Sequence, residues 1–168
     1  MQATQEGIGI DVGGVIMDRA NDDTDTSFFS DNYLRTTTAP GAIEAIARLV
    51  AERFKDRSFV VSKCGARIEA KTRSWMAHHR FHERTGIPPE RLRFCRTREE
   101  KGPICAELGL THFVDDRLEV LGYLATVPHR YLFNPGEAEV ERHRIHLPRV
   151  RRVRAWDEIV RDLLPPRL

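Results

Sequence analysis

The sequence is short of several things. No apolar run approaches the roughly 20 residues that a membrane-spanning helix needs, so it is not read as a membrane protein. It has three cysteines, Cys64, Cys95 and Cys105. The odd number and the absence of CxxC or Cys/His ligand spacing rule out a disulfide framework and argue against structural zinc, leaving reduced, mostly buried thiols. The opening Met1-Gln2-Ala3-Thr4-Gln5-Glu6 lacks the basic-then-apolar order of a secretory signal, which predicts a cytoplasmic protein. Internal repeats and low-complexity tracts are also missing. A formal net charge of +2 is too small to imply a nucleic-acid partner by itself. Arg142, Arg144, Arg149, Arg151, Arg152 and Arg154, with His143 and His146, crowd the C-terminal quarter. No aromatic residues interleave with them for base stacking, so they read as a solvated face.

What is present suits one ordinary globular domain over residues 1–168, with 40% hydrophobic and 31% charged residues. Residues 7–10 form a short apolar strand running into Asp11-Val12-Gly13-Gly14, a tight loop. A polar flap follows at about 17–40, anchored by Phe28 and Phe29 and carrying Asp18, Asp22, Asp23, Asp25 and Asp31. Its length exceeds the usual connection, which favours a functional loop. Helical spacing then predicts a helix from Pro40-Gly41 to about Arg53, and the apolar run over 58–62 a second strand. One long helix is expected over 67–85, a strand over 92–95, a helix over 101–108 closed by Gly109, and a strand over 111–116. A helix over 118–125, strands over 129–133 and 150–155 and a helix over 156–164 complete the chain. The alternation predicts an α/β fold, a three-layer Rossmann-like parallel sheet with no separate cap domain. In such a sheet ligands bind outside the carboxyl ends of the strands. Asp11, Ser62 and Asp115-Asp116 lie at those ends, and Lys101 opens a neighbouring helix.

Two carboxylates on neighbouring strand ends make a hard oxygen site suited to Mg²⁺. A hydroxyl and an ammonium beside them supply what a transferring phosphoryl group needs. In order and setting, Asp11-Val12-Gly13-Gly14-Val15, Ser62, Lys101 and Asp115-Asp116 resemble the haloacid dehalogenase-like hydrolase superfamily, over nearly the whole chain. Pro40-Gly41-Ala42-Ile43-Glu44-Ala45-Ile46 and Ala155-Trp156-Asp157-Glu158-Ile159 resemble its capless, nucleotidase-like branch. The resemblance implies a Mg²⁺-dependent phosphohydrolase or phosphotransferase acting on a small phosphorylated metabolite or nucleotide. It makes Asp11 the nucleophile, with Ser62 and Lys101 as its catalytic partners. Phosphate would be held by Ser62, Lys63, Lys101 and the Gly14 backbone, and metal by Asp11, the Gly13 carbonyl, Asp115 and Asp116. Lys63, next to Ser62, is an alternative source of the charge assigned to Lys101.

One position departs from that pattern. Phosphatases of the superfamily carry an aspartate two residues after the nucleophile as general acid, and this chain has Gly13 there. General acid/base assistance contributes about 10²–10⁴-fold. Three readings stay open: a flap aspartate (Asp18, Asp22, Asp23 or Asp25) takes over; the leaving group needs no proton, as in an acyl phosphate; or the protein is a catalytically weak phosphate-binding or regulatory member. His78 and His82 share a face of the expected long helix but lack a third ligand. Trp75, Met76 and Tyr123 are expected to pack the sheet, and Cys64 is read as structural.

Overall fold

The computed structural model describes residues 5–19 and 30–167. Its centre is a six-stranded parallel sheet of order β3-β2-β1-β4-β5-β6, from β1 (Ile8–Ile10), β2 (Ser58–Lys63), β3 (Leu92–Cys95), β4 (His112–Asp115), β5 (His129–Phe133) and β6 (Arg151–Val153). Helices cover both faces, which is why the central strands are apolar almost throughout rather than alternating. On one face α1 (Ala42–Leu49), α2 (Ala66–His78), α3 (Phe81–Thr85) and α7 (Trp156–Leu163) enclose the larger core, where Ile10, Val60 and Val114 meet Trp75, Phe81 and Trp156. On the other, α4 (Lys101–Leu108), α5 (Leu118–Gly122) and α6 (Glu137–Arg142) cover Val61, Phe113 and Leu132. This is the expected three-layer Rossmann-like architecture, and no cap domain stands over the sheet among the described residues.

Register places the strand ends. Ile10 lies opposite Val60 on one side and Val114 on the other, and the Asp11 amide donates to the Val114 carbonyl at 3.0 Å. Asp11 and Asp115 are therefore level, and strand alternation turns both toward the α4 and α5 layer. Close approach of the strands depends on Gly9, where a Cβ would stand 2.5 Å from the Phe113 ring. The chain leaves β1 toward β2 and later crosses to β4, so the order reverses between β1 and β4, the position where such sheets bind ligands.

The flap is tied down at both roots. Met17 bridges Thr38, the Asp18 amide donates to the Thr37 carbonyl at 2.8 Å, and the Ala39 amide to the Ile16 carbonyl at 2.8 Å. A 3₁₀ turn, Tyr33–Arg35, lies near the start of the second described stretch. Indole N–H groups fasten the same roots from the larger core: Trp156 donates to the Val15 carbonyl at 2.8 Å and Trp75 to the Thr36 carbonyl at 2.9 Å. Asp22, Asp23, Asp25, Phe28 and Phe29 lie outside the described residues.

Three expectations need correction. The helix over 67–85 is two helices, because Arg80 adopts a left-handed conformation (φ 54°) and turns the chain so that Phe81 is buried. His78 and His82 consequently sit on different helices. His82 Nδ1 is bonded to the Ile87 carbonyl at 2.8 Å. Tyr123, expected in the core, is 38% exposed, with its hydroxyl donating to Glu119. Residues 137–149, for which the sequence suggests no element, form α6 and a 3₁₀ segment, Arg144–Arg149. Several arginines of this quarter are exposed and ion-paired with nearby acids, Arg144 with Glu141, Arg151 with Asp162 and Arg152 with Glu137. Among the described residues no helix is long and apolar enough to cross a membrane.

Candidate active site

The carboxyl ends of β1, β2 and β4 open into a cleft of about 550 Å³ whose lining includes Asp11, Ser62, Lys101, Asp115 and Asp116. Its floor is an ion-pair network. Lys101, the first residue of α4, is 2% exposed, and its Nζ donates to Asp11 Oδ1 and Asp115 Oδ2, each at 2.9 Å. The ammonium also lies 5.6 Å from the centroid of the Phe113 ring. Burial alone would lower the Lys101 pKa, but the charges of Asp11 and Asp115 outweigh it and hold Lys101 protonated, above the ordinary lysine range. Lys101, not Lys63, thus meets the strand-end aspartates; Lys63 is exposed at the cleft wall.

The three aspartates have different surroundings. Asp115 has both oxygens engaged, Oδ2 by Lys101 and Oδ1 by the Arg117 amide at 3.0 Å, so it fixes both the lysine and the start of α5. Asp11 Oδ1 takes Lys101, and its second oxygen accepts no hydrogen bond among the described residues. Asp116 Oδ2 accepts from Arg19 Nη2 at 2.9 Å. Burial first, then the charge of Asp11, raises the Asp115 carboxyl pKa despite Lys101. Asp116 is raised for the same reasons, with Asp115 adding its charge against the opposing guanidinium. Three carboxyl groups thus face two cations, Lys101 and Arg19.

That donor set fits a divalent cation. A carboxylate oxygen from each of Asp11, Asp115 and Asp116 lies within 4.8 Å of the other two. All are hard oxygen ligands, and Mg²⁺ is commonly held by only one or two carboxylates with water completing its shell. Since Asp115 is the most fully engaged by internal donors, Asp11 and Asp116 are the better placed to serve. A second acidic group, Glu119, Glu139 and His143, is accounted for structurally: both Glu139 oxygens accept from the Leu118 and Glu119 amides at 3.0 Å, and Glu119 pairs with Arg98 at 2.7 Å.

The glycines shape the loop after Asp11. Gly14 has φ +77°, and a Cβ there would stand 2.5 Å from Asp116 Oδ2, so the backbone passes close to that carboxylate only because the side chain is absent. Gly13 is exposed at the cleft, with nothing within 4 Å of a Cβ built on it. A side chain at position 13 would thus enter open space. Asp18 lines the same cleft, its Oδ1 accepting from the Arg19 amide at 3.0 Å. Ser62 is buried at the end of β2. Cys64 lines the cleft as well, but burial raises its thiol pKa, as it does for Cys105, pushed up to about 12. Neither is a ready nucleophile.

Arg19, Arg98 and Arg117 join the lining without having been singled out from the sequence. Arg19 contacts Asp116 across 97 positions, a pairing with no local sequence signature. No protein-family model matches this chain, and the search of curated proteins finds no match.

Proposed function

We propose that the cleft is a phosphoryl-transfer site of the haloacid dehalogenase-like kind, with Asp11 as nucleophile and a small acyl phosphate as the favoured class of substrate. The observation that carries this reading is the buried Lys101 clamped between Asp11 and Asp115 beside Asp116, at the point where the strand order reverses. Lys101 orients Asp11 through one oxygen and leaves the other available for attack. That oxygen would form a bond to phosphorus while the bond from phosphorus to the leaving oxygen breaks, the leaving group taking the electron pair. Water would then hydrolyse the aspartyl-phosphate to inorganic phosphate and restore Asp11. Ser62 and Lys63 are the side chains for the phosphate oxygens; the Gly14 amide, expected to join them, is already committed to the Met17 carbonyl at 3.0 Å. Lys101 offsets negative charge at the floor, where low local dielectric strengthens it. A magnesium ion held by Asp11, Asp116 and the Gly13 carbonyl would add further neutralisation of phosphoryl charge.

Gly13 decides the leaving group. Without an acid at that position an alkoxide would depart unprotonated, which disfavours ordinary phosphate esters. A carboxylate leaving group needs no proton. The test is turnover of acetyl phosphate and of an alkyl phosphate with Mg²⁺, using Asp11→Asn as control. The expected result is acetyl phosphate hydrolysis, with the alkyl ester at least about 10²-fold slower and the variant inert. Equal inertness of wild type and Asp11→Asn, with both still binding inorganic phosphate, would replace catalysis by a binding role.

A further inference from the structure

The phosphoryl reading gives no task to the guanidinium of Arg19. Its Nη2 donates to Asp116 Oδ2 at 2.9 Å and to the Asn134 carbonyl at 3.4 Å. The group lies beside two glycines: a Cβ on Gly14 would stand 3.6 Å from its Nε, and one on Gly136 3.9 Å from its Nη1. Asn134 is itself fixed, its amide donating to the Val153 carbonyl at 2.8 Å. Segments following β1, β4 and β5 therefore converge on one side chain. Lys101 serves Asp11 and Asp115, so among the described residues Arg19 is the cation that neutralises Asp116.

We propose that Arg19 is the resident counter-cation of Asp116, that a divalent ion entering the cleft competes with it for that carboxylate, and that Arg19 thereby lowers the metal affinity of the site. The inference rests on the metal reading above. A guanidinium and a divalent ion compete for the same carboxylate. The Arg19 side chain is 55% exposed, and ion pairs that reach solvent are weak, so displacement is within the range of a weakly binding ion. Once released, the side chain needs only to turn outward, since among the described residues its remaining side-chain hydrogen bond is the long one to Asn134.

Binding of Mn²⁺ alone, followed by the loss of its free-ion paramagnetic resonance signal, tests this without any turnover. Arg19→Gln is expected to bind Mn²⁺ up to about fivefold more tightly than wild type, in line with loss of one competing ion pair. Arg117→Gln is the control for a general change of field, because Arg117 lines the same cleft and its side chain makes no ion pair among the described residues. It is expected to shift the affinity by less than about twofold. An unchanged or weaker affinity in Arg19→Gln overturns the proposal, as does an equal gain in Arg117→Gln while the metal reading stands. Absence of Mn²⁺ binding in both wild type and Arg19→Gln overturns the metal reading and this inference with it.

Discussion

Replacing Lys101 by methionine is the perturbation whose size follows most directly from the geometry. Methionine preserves much of the length and apolar bulk of the lysine stem but removes the ammonium that touches two carboxylates at 2.9 Å in a place with 2% exposure. Breaking a buried ion pair from one side leaves uncompensated charge and typically costs about 3–5 kcal/mol. For a domain of this size that is a fall in melting temperature of about 6–20 °C. The assay is urea unfolding at neutral pH, comparing free energies at equal slope. A second variant separates charge from packing: Asp115→Asn removes one of the two acids, so the combined Lys101→Met and Asp115→Asn protein should be more stable than the sum of the single losses by about 1–3 kcal/mol. A loss below about 1 kcal/mol in Lys101→Met, or strict additivity in the double variant, would refute the idea that the network is an electrostatic clamp.

Gly13→Asp should fold normally, because the added side chain enters open space, and should raise alkyl phosphate hydrolysis by up to about 10²–10⁴-fold; no gain in a steady-state phosphate-release assay would mean that more than the acid has diverged. Gly14→Ala combines a left-handed backbone with a Cβ only 2.5 Å from Asp116 Oδ2. It should lose about 1–2 kcal/mol of stability in chemical denaturation and weaken Mn²⁺ binding through the displaced carboxylate. His112 lies buried between Phe54 and His129, and burial first, then the His129 charge, lowers its pKa to about 4. Above the ordinary histidine value of about 6.5 its contribution to stability is complete. As pH falls below that value the unfolded chain takes up a proton that the folded chain refuses, so about 2–3 kcal/mol is lost by pH 4. Urea midpoints across that range should fall less steeply in His112→Asn, and parallel slopes would refute the assignment.

Strand ends were legible because apolar runs stop abruptly at charged or hydroxyl residues. Asp11, Ser62 and Asp115 occupy the ends their runs suggest, and Gly109 marks the close of α4, where its φ is +64°. The pairing of Lys101 with the aspartates follows from the crossover: α4 joins β3 to β4, which stand two strands apart, so it passes across β2 and β1 and its first residue meets the strand ends there. Arg80 was illegible because a left-handed arginine has no compositional mark, and the helix break there also separates His78 from His82. Residues 137–149 were obscured by charge density, which hides the single buried anchor of α6, Val140. Arg19 escaped for another reason: its partners, Asp116 and Asn134, come from distant strand ends, and only the folded register brings them together.

The two tryptophans are the only ones in the sequence, and both are buried with their indole N–H groups on the carbonyls of Val15 and Thr36. The protein thus carries an indole reporter on each foot of the flap and no indole elsewhere. Emission recorded without any label will register a ligand that loosens or tightens those two attachments, and will stay silent for one that only changes charge on the cleft floor. Ultraviolet fluorescence can therefore distinguish ligands that rearrange the loop base from ligands that merely occupy the site.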